Sequence, residues 1–136
     1  MLRVILLALM FFAVNVAGSA RAAELVMFLA SNCEWCEVWD KEVGTVFAKT
    51  AEAKRAPLRR IDIFDPRPKD LDQVKGIHFT PTFVLMEKGT EVGRITGYPG
   101  ESFFWELLNG LIAKLPAKGA NACAVPGQQG RGGKLC

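Results

Sequence analysis

Apolar runs and polar, turn-forming stretches alternate along this chain in an order that predicts one small domain. Glu24-Leu25-Val26-Met27-Phe28-Leu29-Ala30 is almost unbroken in its apolar character, as expected of a strand covered on both faces of a sheet. Cys36, Trp39, Val43, Val46 and Phe47 then recur at helical intervals. That stripe predicts an amphipathic helix running to about Lys54, where Ala56-Pro57 breaks it. Ser31-Asn32-Cys33-Glu34 reads as its start, with a hydroxyl three positions ahead of an acid as in a capping box. Leu58 to Phe64 predicts a second strand with Ile61 and Ile63 on one face. A loop at Asp65-Pro66-Arg67-Pro68 and a short helix from Lys69 to Lys75 come next. Thr82 to Glu87 and Glu91 to Thr96 flank Lys88-Gly89 as the arms of a hairpin. Tyr98-Pro99-Gly100 turns the chain into a last helix with Phe104, Leu108, Leu111 and Leu115 on its buried face. Trp39, Phe103, Phe104 and Trp105 are expected in or near the core.

The order β-α-β-α-β-β-α, with parallel strands first and a hairpin last, predicts an α/β fold: a mixed four-stranded sheet with helices on both faces. The domain is expected over residues 23–115. Residues 1–22 have the layout of a secretory signal. Arg3 supplies the positive end, and Val4 to Val16 is an apolar stretch too short to span a bilayer comfortably. Small residues lead to a cleavage site at Ala20-Arg21-Ala22. Residues 116–136 are expected to form a flexible tail: Gly119, Gly127, Gly130, Gly132 and Gly133 fall here with few large apolar groups. This tail carries Cys123 and Cys136.

Charge narrows the function. The chain has a formal net charge of +3, from 17 basic and 14 acidic residues. Cleavage after Ala22 removes Arg3 and Arg21, leaving 15 basic against 14 acidic and a net charge of +1. Nothing in that balance suggests a nucleic-acid surface. Export implies an oxidising, periplasmic setting, where a pair of cysteines has redox meaning.

That pair is Cys33-Glu34-Trp35-Cys36. A cysteine in the first turn of a helix lies among unpaired backbone N–H groups at the positive end of the dipole, and both favour thiolate, the reactive form. Cys33, at the helix start and expected to be the more exposed, is read as the nucleophile. Cys36, pointing inward one turn on, is read as the resolving thiol. Glu34 tunes the pair: a carboxylate beside Cys33 opposes the dipole, whose effect on a nearby charge is about 0.3–1 kcal/mol. No cation stands between the cysteines to counter it, so the thiolate is only moderately stabilised. A strong oxidant needs a very stable reduced form; this site is therefore read as a reductant or exchange catalyst. No metal or other cofactor is expected, because Cys123 and Cys136 are too widely spaced for a second zinc knuckle.

Thr80-Pro81 is the second constellation. Proline at the entry of a central strand cannot donate to the ladder. A cis bond there leaves the Thr80 backbone free to pair with an extended client segment; an ordinary trans proline is the alternative. Trp35 has two open readings, an apolar lip for docking or a cover for its own helix. His78 is read as a loop residue and Arg59-Arg60 as a solvated face.

The Cys-x-x-Cys after a buried strand, Phe79-Thr80-Pro81-Thr82-Phe83 before the hairpin, and Gly97 after the last strand resemble the thioredoxin superfamily from Glu24 to Leu115. The resemblance implies that Cys33 and Cys36 are the redox pair, that Pro81 is the cis-proline facing them, and that Thr80 contacts substrate. Trp35 and Gly97 complete the expected client-binding set. Three departures stand out: Met27 occupies the place of an acidic proton carrier, no Trp precedes Cys33, and the family's extra N-terminal strand is missing.

Within the superfamily the chain looks most like the SoxS-type periplasmic thioredoxins of bacterial sulfur oxidation. That likeness implies a client protein with a reactive cysteine or disulfide, namely the sulfur carrier SoxYZ, and a membrane thiol transporter as electron donor. Disulfide isomerases or oxidases, cytochrome-c-maturation reductases and metal-carrying dithiol proteins are the alternatives. Cys123 and Cys136 are read as a second disulfide within the tail or, alternatively, as a relay pair serving Cys33 and Cys36.

Overall fold

The computed structural model describes residues 23–117. Four strands form one mixed sheet: β1 (Ala23–Leu29), β2 (Leu58–Asp62), β3 (Thr82–Glu87) and β4 (Thr90–Thr96), in the spatial order β2-β1-β3-β4. β1 pairs parallel with β2, Leu25 opposite Leu58 and Leu29 opposite Asp62. It pairs antiparallel with β3, Val26 opposite Val84, and β3 pairs antiparallel with β4. The central position of β1 explains its apolar run, since it needs cover on both sides. On one face Leu25, Met27, Phe83, Leu85 and Ile95 share a core with Cys36, Trp39, Phe104 and Leu108. On the other, Val26, Phe28, Val84 and Met86 pack with Leu71 and Val74. A two-residue turn at Lys88 and Gly89, with φ of 49° and 78°, joins β3 to β4.

The long helix expected after β1 is divided. α1 (Glu34–Trp39) passes into a π-helical segment, Asp40–Gly44, and then α2 (Thr45–Phe47). Gly44 permits that winding: a Cβ there would lie 2.8 Å from Asp40 Oδ1 and 3.2 Å from the Trp39 ring. The wider turn rotates the residues beyond it, so Phe47 stays buried while Val46, expected on the same stripe, is exposed. Thr50 then ends the run and starts another. Its hydroxyl donates to Phe47 O at 2.9 Å and accepts from Ala53 N at 3.2 Å, capping α3 (Ala51–Arg55).

Three further expectations are corrected. β2 ends at Asp62, whose side chain accepts from Phe64 N at 2.9 Å and turns the chain away. Ile61 packs against the second core, but Ile63 is exposed. The short helix after Pro68 is a single 3₁₀ turn, Lys69–Leu71, and this turn covers the second face. The last helix, α4 (Glu101–Ile112), buries Phe104, Leu108 and Leu111 as expected, with Leu115 buried just beyond it. Trp105, partly buried, packs against that core as expected, whereas Phe103 is exposed.

Arg59 and Arg60 are more than a solvated face. Arg59 pairs with Glu24 and Asp70, tying β1, β2 and the 3₁₀ turn together. Arg60 pairs with Asp40 and lies 5.5 Å above the Trp39 ring.

Candidate functional site

The dithiol sits where β1 hands over to α1. Ala30 O accepts from Cys33 N at 3.2 Å, closing a tight turn, and the helix begins at Glu34. The expected capping box does not form: Ser31 and Asn32 lie exposed in the turn, and Cys33 is itself the N-cap. Its Sγ accepts from Cys36 N at 3.1 Å, while its carbonyl accepts from Glu37 N at 3.2 Å. The sulfur therefore takes the place usually held by a serine or aspartate oxygen, where negative charge is most favoured.

Cys33 and Cys36 are joined as a disulfide, with Cα atoms 5.2 Å apart. Exposure does not separate them: Cys33 is 7% and Cys36 5% accessible. The difference between them lies in the cap. Met27, fully buried, belongs to the same core cluster as both cysteines. The position thus supplies an apolar side chain and no proton carrier.

The Thr80–Pro81 peptide bond is cis. Thr82 Oγ1 donates to Phe79 O at 2.7 Å, and Pro81 O accepts from Gly97 N at 2.8 Å, so the start of β3 is held to the end of β4. Gly97 takes φ +79°, a conformation that L side chains seldom adopt. Between these segments runs a groove of about 350 Å³ lined by Trp35, Phe79, Thr80, Thr96, Gly97, Tyr98 and Pro99. Trp35, at 58% exposure, is a lip of this groove rather than a cover for its helix. Thr80 and Gly97 line it, whereas Pro81 is buried and outside the lining. His78 is exposed and stays outside the lining. Cys123 and Cys136 lie outside the described residues.

Sequence reasoning missed four of the residues that line this groove: Phe79, Thr96, Tyr98 and Pro99. Phe79 is 66% exposed and faces the same space as Trp35. Pro99 follows Tyr98, whose hydroxyl donates to Glu42 Oε2 at 2.6 Å and pins the loop after β4 to the π-helical segment. The one signal available was a phenol in an otherwise apolar turn, since a buried Tyr hydroxyl needs a partner. Burial, and then the Glu42 carboxylate, raise the Tyr98 phenol well above its usual range. Stability tied to the protonated phenol is fully present below the ordinary phenol value, about 10, and is lost as pH climbs through the higher folded value. Tyr98 is the protein's single tyrosine, so phenolate absorbance reports it alone. The folded protein is expected to show no phenolate near pH 10.5. A simple titration centred at pH 10 would contradict the Tyr98–Glu42 bond.

Among the described residues no group of three or more His, Cys, Asp or Glu side chains is placed to hold a metal. The arrangement offers a capped sulfur, a second sulfur one turn on, and an open groove beside them.

Comparison with known proteins agrees with this geometry. The sequence profile of the thioredoxin-like domain matches residues 11–112. The periplasmic thioredoxin SoxS from Paracoccus pantotrophus, in its reduced form, is 43% identical over 67% of this chain and 96% of its own, with a TM-score of 0.64. Trxlp from Edwardsiella tarda is 25% identical over 65% of this chain and 86% of its own, at a TM-score of 0.52. A thioredoxin from Malassezia sympodialis, 22% identical over 68% of this chain and 76% of its own with a TM-score of 0.51, shares the fold. No curated protein matches the sequence.

Proposed function

Because the chain belongs to the thioredoxin-like family, we propose that its thiol–disulfide chemistry serves a periplasmic client, whose cysteine it keeps reduced. One observation carries the reading: Cys33 caps α1 with its own sulfur, and Trp35, between the two cysteines, lines an open groove together with Thr80 and Gly97. In the reduced protein, the Cys33 thiolate attacks one sulfur of a client disulfide. The client S–S bond breaks, a Cys33–client bond forms, and the departing client thiolate takes a proton from water. Cys36, deprotonated, then attacks Cys33 Sγ, releases the second client thiolate and leaves the Cys33–Cys36 disulfide. Two electrons pass to the client, and an external dithiol must return them. A membrane thiol transporter is the donor class that fits an exported protein.

One feature favours reduction over oxidation. Glu34 stands next to Cys33 with no cation between the cysteines, so the reduced form lacks the strong stabilisation that makes an oxidant. Buried Met27 supplies no carboxylate beneath Cys36, which leaves water or Glu34 to take its proton. In substrate binding, the Thr80 backbone, buried Pro81, Trp35 and Gly97 frame the client segment.

The likeness to a periplasmic thioredoxin SoxS supports an exported location and a sulfur-oxidation client, the SoxYZ carrier. It is consistent with residues 1–22 being a cleaved signal, 23–115 the working domain and 116–136 a tail. Cys123 and Cys136 are assigned to a second disulfide within that tail.

Trapping tests the reading. Cys36→Ser, expressed in the native periplasm, is expected to accumulate a mixed disulfide with a sulfur-carrier protein through Cys33. Recovery of a cytochrome-maturation protein instead would redirect the client assignment, and trapping through Cys33→Ser would reverse the roles of the two cysteines.

A further inference from the structure

The charges around the groove are sorted. Glu34 and Glu37 occupy the first turn of α1, either side of Trp35 and Cys36, and Glu101 occupies the first turn of α4, two residues past Pro99. All three are exposed. Acids in a helix's first turn are favourable in their own right, which explains why they are tolerated there. It does not neutralise them. None of the ion pairs among the described residues uses Glu34, Glu37 or Glu101.

The arginines behave oppositely. Arg59 and Arg60 are engaged by Glu24, Asp70 and Asp40; Arg94 by Glu91; Arg67 by Val74 O; and Arg55 by Pro116 O. Those are all the arginines of the described residues. The arginines are thus engaged within the domain, and none of them lines the groove. The groove itself is bounded by aromatic faces, Trp35 and Phe79, and unpaired carboxylates adjoin its lining residues: Glu34 next to Trp35, Glu37 one turn on, and Glu101 two residues past Pro99 and close enough to act on the Tyr98 phenol. Tyr98, pinned by Glu42, keeps the loop leading to Glu101 against the π-helical segment that continues α1.

We propose that the groove selects a client segment that is cationic next to its reactive cysteine, an apolar side chain entering between Trp35 and Phe79 while a lysine or arginine meets Glu34, Glu37 or Glu101. This rests on the client-reductase reading above and adds the client's chemistry to it. The carboxylates raise the local concentration of cationic segments and hold them during the first exchange, an effect that salt weakens. Anionic segments are repelled from the same rim.

The test uses the reduced full chain and three disulfides: two otherwise identical peptide dimers, with lysines or glutamates flanking the cysteine, and neutral hydroxyethyl disulfide. Lysines also make a better leaving thiol, so each rate is divided by that peptide's rate with dithiothreitol. The normalised preference for the lysine peptide is expected to be about tenfold at low salt and to shrink several-fold in about 0.5 M salt. In a Glu34→Gln, Glu101→Gln double variant the preference is expected to fall toward unity; being a ratio within one protein, it is unaffected by a change in overall rate. Equal normalised rates in the unaltered protein, with hydroxyethyl disulfide still reduced, would overturn this inference and leave the reductase reading standing. Failure to reduce any of the three would remove both.

Discussion

Replacing Cys33 by serine is expected to abolish client reduction, whereas replacing Cys36 leaves the first exchange step and blocks only the second. The asymmetry cannot come from access, because the two sulfurs are almost equally buried. It comes from the helix start. Cys33 Sγ accepts the Cys36 N–H and sits at the positive end of the α1 dipole, so its thiolate is the better stabilised of the two. Single-turnover mixing with a labelled disulfide checks this. Cys33→Ser should fall to the background of uncatalysed exchange. Cys36→Ser should release one leaving group per protein at a rate within about tenfold of the unaltered protein and then stop. A burst retained by Cys33→Ser and lost by Cys36→Ser would contradict the cap argument.

The second large effect concerns stability. Trp39→Ala is expected to cost about 3–5 kcal/mol, the range for removing a buried tryptophan. Trp39 is fully buried, with ring centroids 5.2 Å from Phe83, 5.7 Å from Phe104 and 5.9 Å from Phe47. It joins the dithiol helix to the sheet and to α4, and Arg60 covers it from outside. A domain of this size loses about 4–8 °C of melting temperature per kcal/mol, so the variant is expected to melt some tens of degrees lower or not to fold. Trp39→Phe should be far milder. The Trp39 Nε1–H is buried without a hydrogen-bond partner among the described residues, and an orphaned buried donor costs about 1–3 kcal/mol. Phenylalanine removes that donor along with some packing, and the two effects oppose each other. Thermal unfolding of both variants decides the matter. A Trp39→Phe loss as large as that of Trp39→Ala would show that the indole N–H is satisfied in solution.

Much of the site was legible because its parts are local. Cys33 and Cys36 flag themselves by spacing and by the strand–helix junction around them, and Thr80-Pro81 by a proline at the mouth of a central strand. β1 and the β3–β4 hairpin follow from apolar runs and a two-residue turn. The features that escaped depend on residues distant in sequence. The groove wall formed by Phe79, Thr96, Tyr98 and Pro99 exists only because β3 and β4 pair and bring the entry of one beside the exit of the other. The Tyr98–Glu42 bond spans 56 positions and leaves no local trace. The helix phase failed for another reason: periodicity assumes 3.6 residues per turn, and the π-helical Asp40–Gly44 segment breaks that assumption, which puts Val46 outside. Ser31 looked like a cap because hydroxyls usually serve as one; here the tight Ala30–Cys33 turn gives the place to a sulfur.

The reduction potential of the Cys33–Cys36 couple tests the central claim most directly. With Glu34 beside Cys33 and no cation to stabilise the thiolate, equilibration against glutathione or dithiothreitol is expected to give a value in the region of thioredoxin, about −270 mV. A value near −120 mV, the territory of strong oxidants, would contradict the account and make the protein a donor of disulfides instead of a reductant.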